Sequence, residues 1–144
     1  MIQVLLLLEK MKISRGLRNN NPLNIRRNRT RWKGLAEKQN DAAFFTFSSP
    51  EWGYRAAFVT LRNYLKVHGL KTLAAWITRW APPVENDTEA YIAFVSRKSG
   101  VAPDAVPDVT DKDEMCSIVA AMSHMENGVS ANMDDVEKGW SLSF

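Results

Sequence analysis

Residues 15–27 read Arg15-Gly16-Leu17-Arg18-Asn19-Asn20-Asn21-Pro22-Leu23-Asn24-Ile25-Arg26-Arg27. Four asparagines fall within six positions, a density that suits neither a core helix nor a core strand. The short amide competes with the backbone for its own hydrogen bonds and favours turns and caps. Pro22 pushes Asn21 into an extended conformation and removes a donor, while Leu17, Leu23 and Ile25 supply apolar anchors. The stretch predicts a rigid, amide-lined loop flanked by arginines, of the kind that more often serves a site than links two elements. Composition alone also admits an ordinary polar turn.

Outward from the loop, 144 residues with 45% hydrophobic content suffice for one domain with a real core. We place that domain at residues 15–144, behind an N-terminal appendage of residues 1–14. The apolar run Val4 to Leu8 is too short for a signal-peptide core and far too short for a membrane span. The expectation is synthesis in the cytoplasm without an export signal. A single cysteine, Cys116, excludes a disulfide framework and a cysteine-based zinc cluster. His68 and His124 stand apart and form no ligand set, so neither metal nor cofactor is expected. Charge is unevenly spread: residues 1–79 carry 15 Lys/Arg against 4 Asp/Glu, and residues 80–144 carry 4 against 12. A basic half fits an anionic partner such as nucleic acid, membrane or cell-wall polymer; equally, the two halves could face each other in the fold. Arg26 to Lys33 with Trp32 is a weak nucleic-acid signal, since no helix-turn-helix or zinc spacing accompanies it.

Asp41 to Phe47 reads as a short strand with Ala43, Phe45 and Phe47 on one face, pairing in a hairpin with residues near Trp32. Ser48 and Glu51 form a capping box around Pro50 and open a helix whose apolar face is Tyr54, Ala57, Phe58, Leu61, Tyr64 and Leu65, ended by Gly69. Leu73, Trp76, Ile77 and Trp80 make a shorter stripe, stopped by Pro82-Pro83. Asp87 or Thr88 caps a third helix that Ser99-Gly100 closes. After a Pro/Asp loop, Thr110 or Asp111 opens a fourth, with Glu114 boxed to Asp111 and Gly128 as the left-handed stop. Val136, Trp140, Leu142 and Phe144 pack back on the core. The class is α+β, mainly α, with a small β hairpin.

Glu126 is the most informative acid. With Met115 at zero on a helical wheel of about 100° per residue, Val119 falls near +40°, Met122 near −20° and Ile118 near −60°. Glu126 lands at about +20°, inside the apolar stripe. It also occupies the last turn, where the helix dipole disfavours a carboxylate, and burial acts in the same direction. A carboxylic acid that keeps its proton near neutral pH is what glycoside cleavage needs to protonate a leaving oxygen. The competing reading is a helix-end acid whose carboxylate escapes to water. Among other acids, Asp41 reads as a turn residue. Glu85, in Glu85-Asn86-Asp87-Thr88, belongs to a helix cap or to a cleft rim.

Taken together, Arg-Gly-Leu-Arg-Asn-Asn-Asn-Pro-Leu-Asn-Ile-Arg at residues 15–26, Trp32-Lys33-Gly34, Phe45-Thr46-Phe47, Glu51-Trp52-Gly53-Tyr54-Arg55-Ala56 and Arg79-Trp80-Ala81-Pro82-Pro83-Val84-Glu85-Asn86-Asp87-Thr88 with Tyr91-Ile92 resemble phage-type lysozyme-like proteins, a group of virion structural proteins and lytic transglycosylases. The resemblance spans about residues 15–128. It implies a lysozyme-like fold and cleavage of peptidoglycan glycan strands by one glutamic acid, with the wall polymer and other virion proteins as partners. The alternative it implies is a non-catalytic virion or wall-binding module of the same fold. In many relatives a Glu-bearing helix precedes the Asn loop. Here the matching Met125-Glu126-Asn127-Gly128 comes at the far end, which a circular permutation reconciles. Leu23 stands where the family commonly has glycine. The resemblance makes Glu126 the catalytic candidate. It makes Asn20, Asn21 and Asn24 candidates to bind acetamido groups or to hold the loop beside the acid. Trp32, Tyr54 and Tyr91 are candidates to stack on sugars or to fill the core, and Glu85 to line the cleft.

Overall fold

A computed structural model describes residues 13–144. The reading of residues 1–12 as an appendage, with their short apolar run, lies outside the described residues. Ser14, assigned to that appendage, belongs to the folded unit: it caps the first helix, accepting from Leu17 N at 3.3 Å, and donates to Asn127 Oδ1 at 2.6 Å. The helices in chain order are α1 (Arg15–Arg18), α2 (Pro50–Lys66), α3 (Leu73–Trp80), α4 (Thr88–Ser99), α5 (Lys112–Asn127) and α6 (Met133–Leu142).

Local chemistry sets most of these boundaries. Thr72, Asp87, Asp111 and Asn132 each accept a hydrogen bond from the backbone N–H three residues on, so α3 to α6 start where a side-chain oxygen satisfies a free amide. Gly100 and Gly128 close α4 and α5 in the left-handed conformation, at φ of 75° and 72°. Two expected caps differ. Ser49, not Ser48, precedes α2, and it makes no side-chain cap bond; Pro50 opens the helix, and the Trp52 amide bonds the Ser49 carbonyl instead. Glu114 does not complete a box with Asp111; its carboxylate turns outward to accept from Asp108 N at 2.6 Å.

The mainly helical class holds, but the expected hairpin does not form. Among the described residues only two isolated antiparallel bridges occur, Arg26 with Phe44 and Leu35 with Phe47. Side chains share the pairing with backbone groups. Gln39 bonds both the N–H and the C=O of Thr46, and the amides of Asn21 and Asn20 take the carbonyls of Phe45 and Phe47. The segment's remaining backbone groups pair with three different stretches, residues 25–27, residues 34–36 and Asn19, so no single partner strand runs beside it.

The main core gathers Leu23 with the inner faces of α2 to α6, centred on Tyr54, Phe58, Leu61, Trp76, Ile77, Val95, Ile118, Val119 and Met122. A smaller cluster of Phe45, Phe47 and Ala56 seats the loop region on α2. Helix α6 lies against α2, and α4 against α5. Trp140 meets Phe58 edge-on at 5.4 Å. At the chain end Val136 and Trp140 are buried as expected, whereas Leu142 and Phe144 are exposed. Met125 also faces outward. No described helix is long and apolar enough to cross a membrane.

Candidate functional site

The Asn loop is held by its own side chains, and each asparagine has a different task. Asn19 donates to Asp41 Oδ2 at 3.1 Å, and Asn20 donates to Phe47 O at 3.1 Å. Asn21 is fully buried; its amide nitrogen donates to Ile25 O and Phe45 O, and its oxygen accepts from Ile25 N. Asn20 and Asn24 adopt positive φ, 51° and 52°, a region that asparagine enters more readily than most residues. At Asn24 this conformation accompanies a side chain aimed away from the loop. Its amide donates to Glu126 Oε1 at 2.8 Å, across 102 positions of sequence. Leu23, where the resemblance to lysozyme-like proteins leads one to expect glycine, is fully buried and does not have positive φ, so the branched residue sits in an ordinary backbone conformation.

Glu126 enters from the last turn of α5. Its second oxygen accepts from the Tyr91 hydroxyl of α4 at 2.8 Å. Burial raises the pKa of Glu126, against the opposing pull of the bonds from Asn24 and Tyr91. Tyr91 is itself buried, and burial together with the adjacent carboxylate pushes its phenol well above the ordinary range. The next residue, Asn127, fastens the helix end to the loop: its amide donates to Pro22 O and to Ser123 O, both at 2.8 Å. Gly16 lies where these parts meet. A methyl group there would sit 2.8 Å from Asn24 Oδ1, from Asn127 Oδ1 and from Asn21 O.

Asp41 anchors the other side. It receives two bonds of 2.6 Å from Arg15, one from Asn19, and backbone bonds from Ala43 N and Phe44 N. The Arg15 guanidinium, then those backbone amides, hold its carboxyl far below the usual carboxylate range. Asp41 is the expected turn residue, bonding the backbone two and three positions on, and through Arg15 and Asn19 it is also the hub that fixes the loop.

Two connected cavities open beside the acid. One of about 170 Å3 is lined by Leu23, Asn24, Arg26, Phe44, Trp80, Ala81, Glu85, Asn86 and Glu126. The other, about 490 Å3, shares Asn24, Arg26 and Trp80 with it and continues past Trp32, Tyr64 and His68. Together they form a groove with Glu126 at one end. Glu85 is exposed and pairs with Arg26 at 3.2 Å.

Of the candidates from sequence, Glu126, Asn24 and Glu85 therefore share one cavity, Tyr91 touches the acid, and Trp32 lines the adjoining space. The remaining three lie elsewhere. Tyr54 is buried in the core with its hydroxyl on Ser123 at 2.8 Å, so it cannot stack on a sugar. Asn21 has spent its amide on the loop backbone, and Asn20 is committed to Phe47. Tyr91 presents its hydroxyl to Glu126 and its ring to the core, which makes it a positioning residue and no stacking surface. Sequence reasoning passed over Trp80, the wall common to both cavities, and Asn127. Trp80 stood in the Arg79-Trp80-Ala81-Pro82-Pro83 segment; Asn127 gave no signal beyond its neighbourhood to Glu126. Among the described residues no group of three or more His, Cys, Asp or Glu could hold a metal ion.

No family model matches the chain. It is 38% identical over 135 residues to Protein P5 of Pseudoalteromonas phage PM2, an alignment that covers 91% of this chain and 82% of that protein. The chain belongs to the same family as this bacteriophage protein.

Proposed function

We propose that this member of the Protein P5 family cleaves the glycan strands of peptidoglycan, with Glu126 as general acid. One observation carries the reading: a carboxyl at the end of a groove, gripped on its two oxygens by Asn24 and Tyr91 and disposed by burial to hold its proton. Glu126 protonates the glycosidic oxygen as its bond to the anomeric carbon breaks, and the positive charge that develops on the sugar ring is quenched by water or by the sugar's own 6-hydroxyl. Asn24 and Tyr91 hold the carboxyl in place, and they stabilise it once the proton has left. Trp80 and Trp32 offer apolar faces along the groove for sugar rings. The juxtaposition of loop and acid supports a lysozyme-like arrangement in permuted order, with the acid reaching the loop from the far end of the domain.

The relationship to a phage protein supports delivery to the wall as part of a phage particle. A non-catalytic wall-binding module would keep the groove without the reaction. To separate the two, purified protein and Glu126→Gln are incubated with peptidoglycan and the released muropeptides are identified by mass spectrometry. Cleavage by the wild type, reduced at least ~10²-fold in the variant, is expected. Binding without cleavage by either protein favours the module, and equal cleavage by both removes Glu126 from the acid's role.

A further inference from the structure

Resting on the reading of Glu126 as the acid, we propose that Glu85 is the base that delivers water, making the reaction a single-displacement hydrolysis with inversion at the anomeric carbon. Both carboxylates line the same cavity of about 170 Å3, at ~30 Å3 per water room enough for a water beside part of a sugar. They enter from different elements: Glu126 from the last turn of α5, Glu85 from the connection between α3 and α4. One short stretch of loop holds both. Asn24 binds Glu126 at 2.8 Å, and Arg26, two residues on, binds Glu85 at 3.2 Å.

Their environments also differ as the two roles require. Glu126 is sequestered and donates a proton. Glu85 is exposed to water and held by Arg26. In the step itself, the water oxygen bonds to the anomeric carbon on the face opposite the leaving group while Glu85 takes a water proton. The bond from that carbon to the glycosidic oxygen breaks, and Glu126 gives its proton to that oxygen. Solvent then removes the proton from Glu85 and restores the one on Glu126. Capture by the 6-hydroxyl would need no such second carboxylate.

The test uses the full chain on purified peptidoglycan, with product ends identified by mass spectrometry and anomeric configuration by NMR. We expect the wild type to release reducing ends of inverted configuration. Glu85→Gln, an exposed change of the same size that leaves melting as it was, lowers kcat about 10²–10⁴-fold. Added azide restores turnover to Glu85→Ala by forming the inverted glycosyl azide. Anhydro ends, retained configuration, a wild-type rate in Glu85→Gln, or azide without effect would each overturn the role of Glu85 and leave Glu126 as the acid. No product from the wild type would overturn both readings.

Discussion

Tyr91 and Glu126 are separated by 35 positions and joined by one hydrogen bond of 2.8 Å. That bond opposes the effect of burial, because it stabilises the ionised carboxylate. Replacing Tyr91 with Phe removes the donor and leaves the ring's packing, so the pKa of Glu126 rises further. A general acid works only while protonated, and activity falls as pH climbs through its pKa. The alkaline limb of the pH–rate profile therefore moves to higher pH in Tyr91→Phe, and kcat at the optimum falls as the carboxyl loses one of its two restraints. A limb that stays in place or moves down would show that the hydroxyl does not act on the acid. The sequence made half of this pair legible. The wheel put Glu126 in the apolar stripe because helical periodicity is local, and it marked a polar group in the wrong environment. It could not separate Tyr91 from Tyr54, or Asn24 from Asn21, since each pair has the same chemistry and a similar setting along the chain. What separates them is the partner each finds in the fold: Ser123 for Tyr54, Glu126 for Tyr91 and Asn24, and the carbonyls of Ile25 and Phe45 for Asn21.

At the level of elements, the caps were readable because one side chain and one backbone amide three residues apart decide them, as at Asp87 and Asp111. The β region was not. The alternation of Ala43, Phe45 and Phe47 is a genuine strand signal, but its backbone is divided among residues 25–27, residues 34–36, Asn19 and the side chains of Gln39, Asn20 and Asn21, a division set by long-range contacts. The meeting of α1 with the end of α5 was equally silent, because it rests on a missing side chain. Gly16 belongs to α1, where alanine would ordinarily gain about 1 kcal/mol of helix propensity. Here its methyl would lie 2.8 Å from three oxygens, two of them on Asn24 and Asn127. Relief requires moving the very groups that bind Glu126 and tie down α5. Gly16→Ala should therefore lose roughly 1–3 kcal/mol of stability, against its propensity gain, and lose peptidoglycan cleavage by a larger factor than the melting shift accounts for. Calorimetry and the muropeptide assay on one preparation check both. A variant as stable and active as the parent would mean the three oxygens yield without cost.

Across the whole molecule, charge segregation between the halves is not resolved by contact. Of the three ion pairs among the described residues, only Arg26–Glu85 joins the basic half to the acidic one, and Arg27, Arg29, Arg31 and Lys33 are exposed and pair with no carboxylate of the described residues. The fold thus leaves a basic surface beside the groove, as an anionic polymer would require. Stability against pH is governed instead by carboxyls shifted in opposite directions. The folded pKa of Asp41 lies below its unfolded value of about 3.9, so its contribution is complete above that pH and is lost as pH falls further. The folded pKa of Glu126 lies above its unfolded value of about 4.3, so the folded state binds the extra proton and stability falls as pH rises from there through the folded pKa. Melting temperature measured from pH 3 to 8 should show the two limbs separately. Asp41→Asn removes the fall on the acid side and lowers stability at neutral pH, where the bonds to Arg15 and the loop backbone are weakened. Glu126→Gln removes the fall on the neutral side and melts a few degrees above the wild type at pH 8, with no gain at pH 4. Glu126→Gln less stable than wild type at pH 8 would mean that the pocket is built for the charged carboxylate and that the acid reading has the wrong sign.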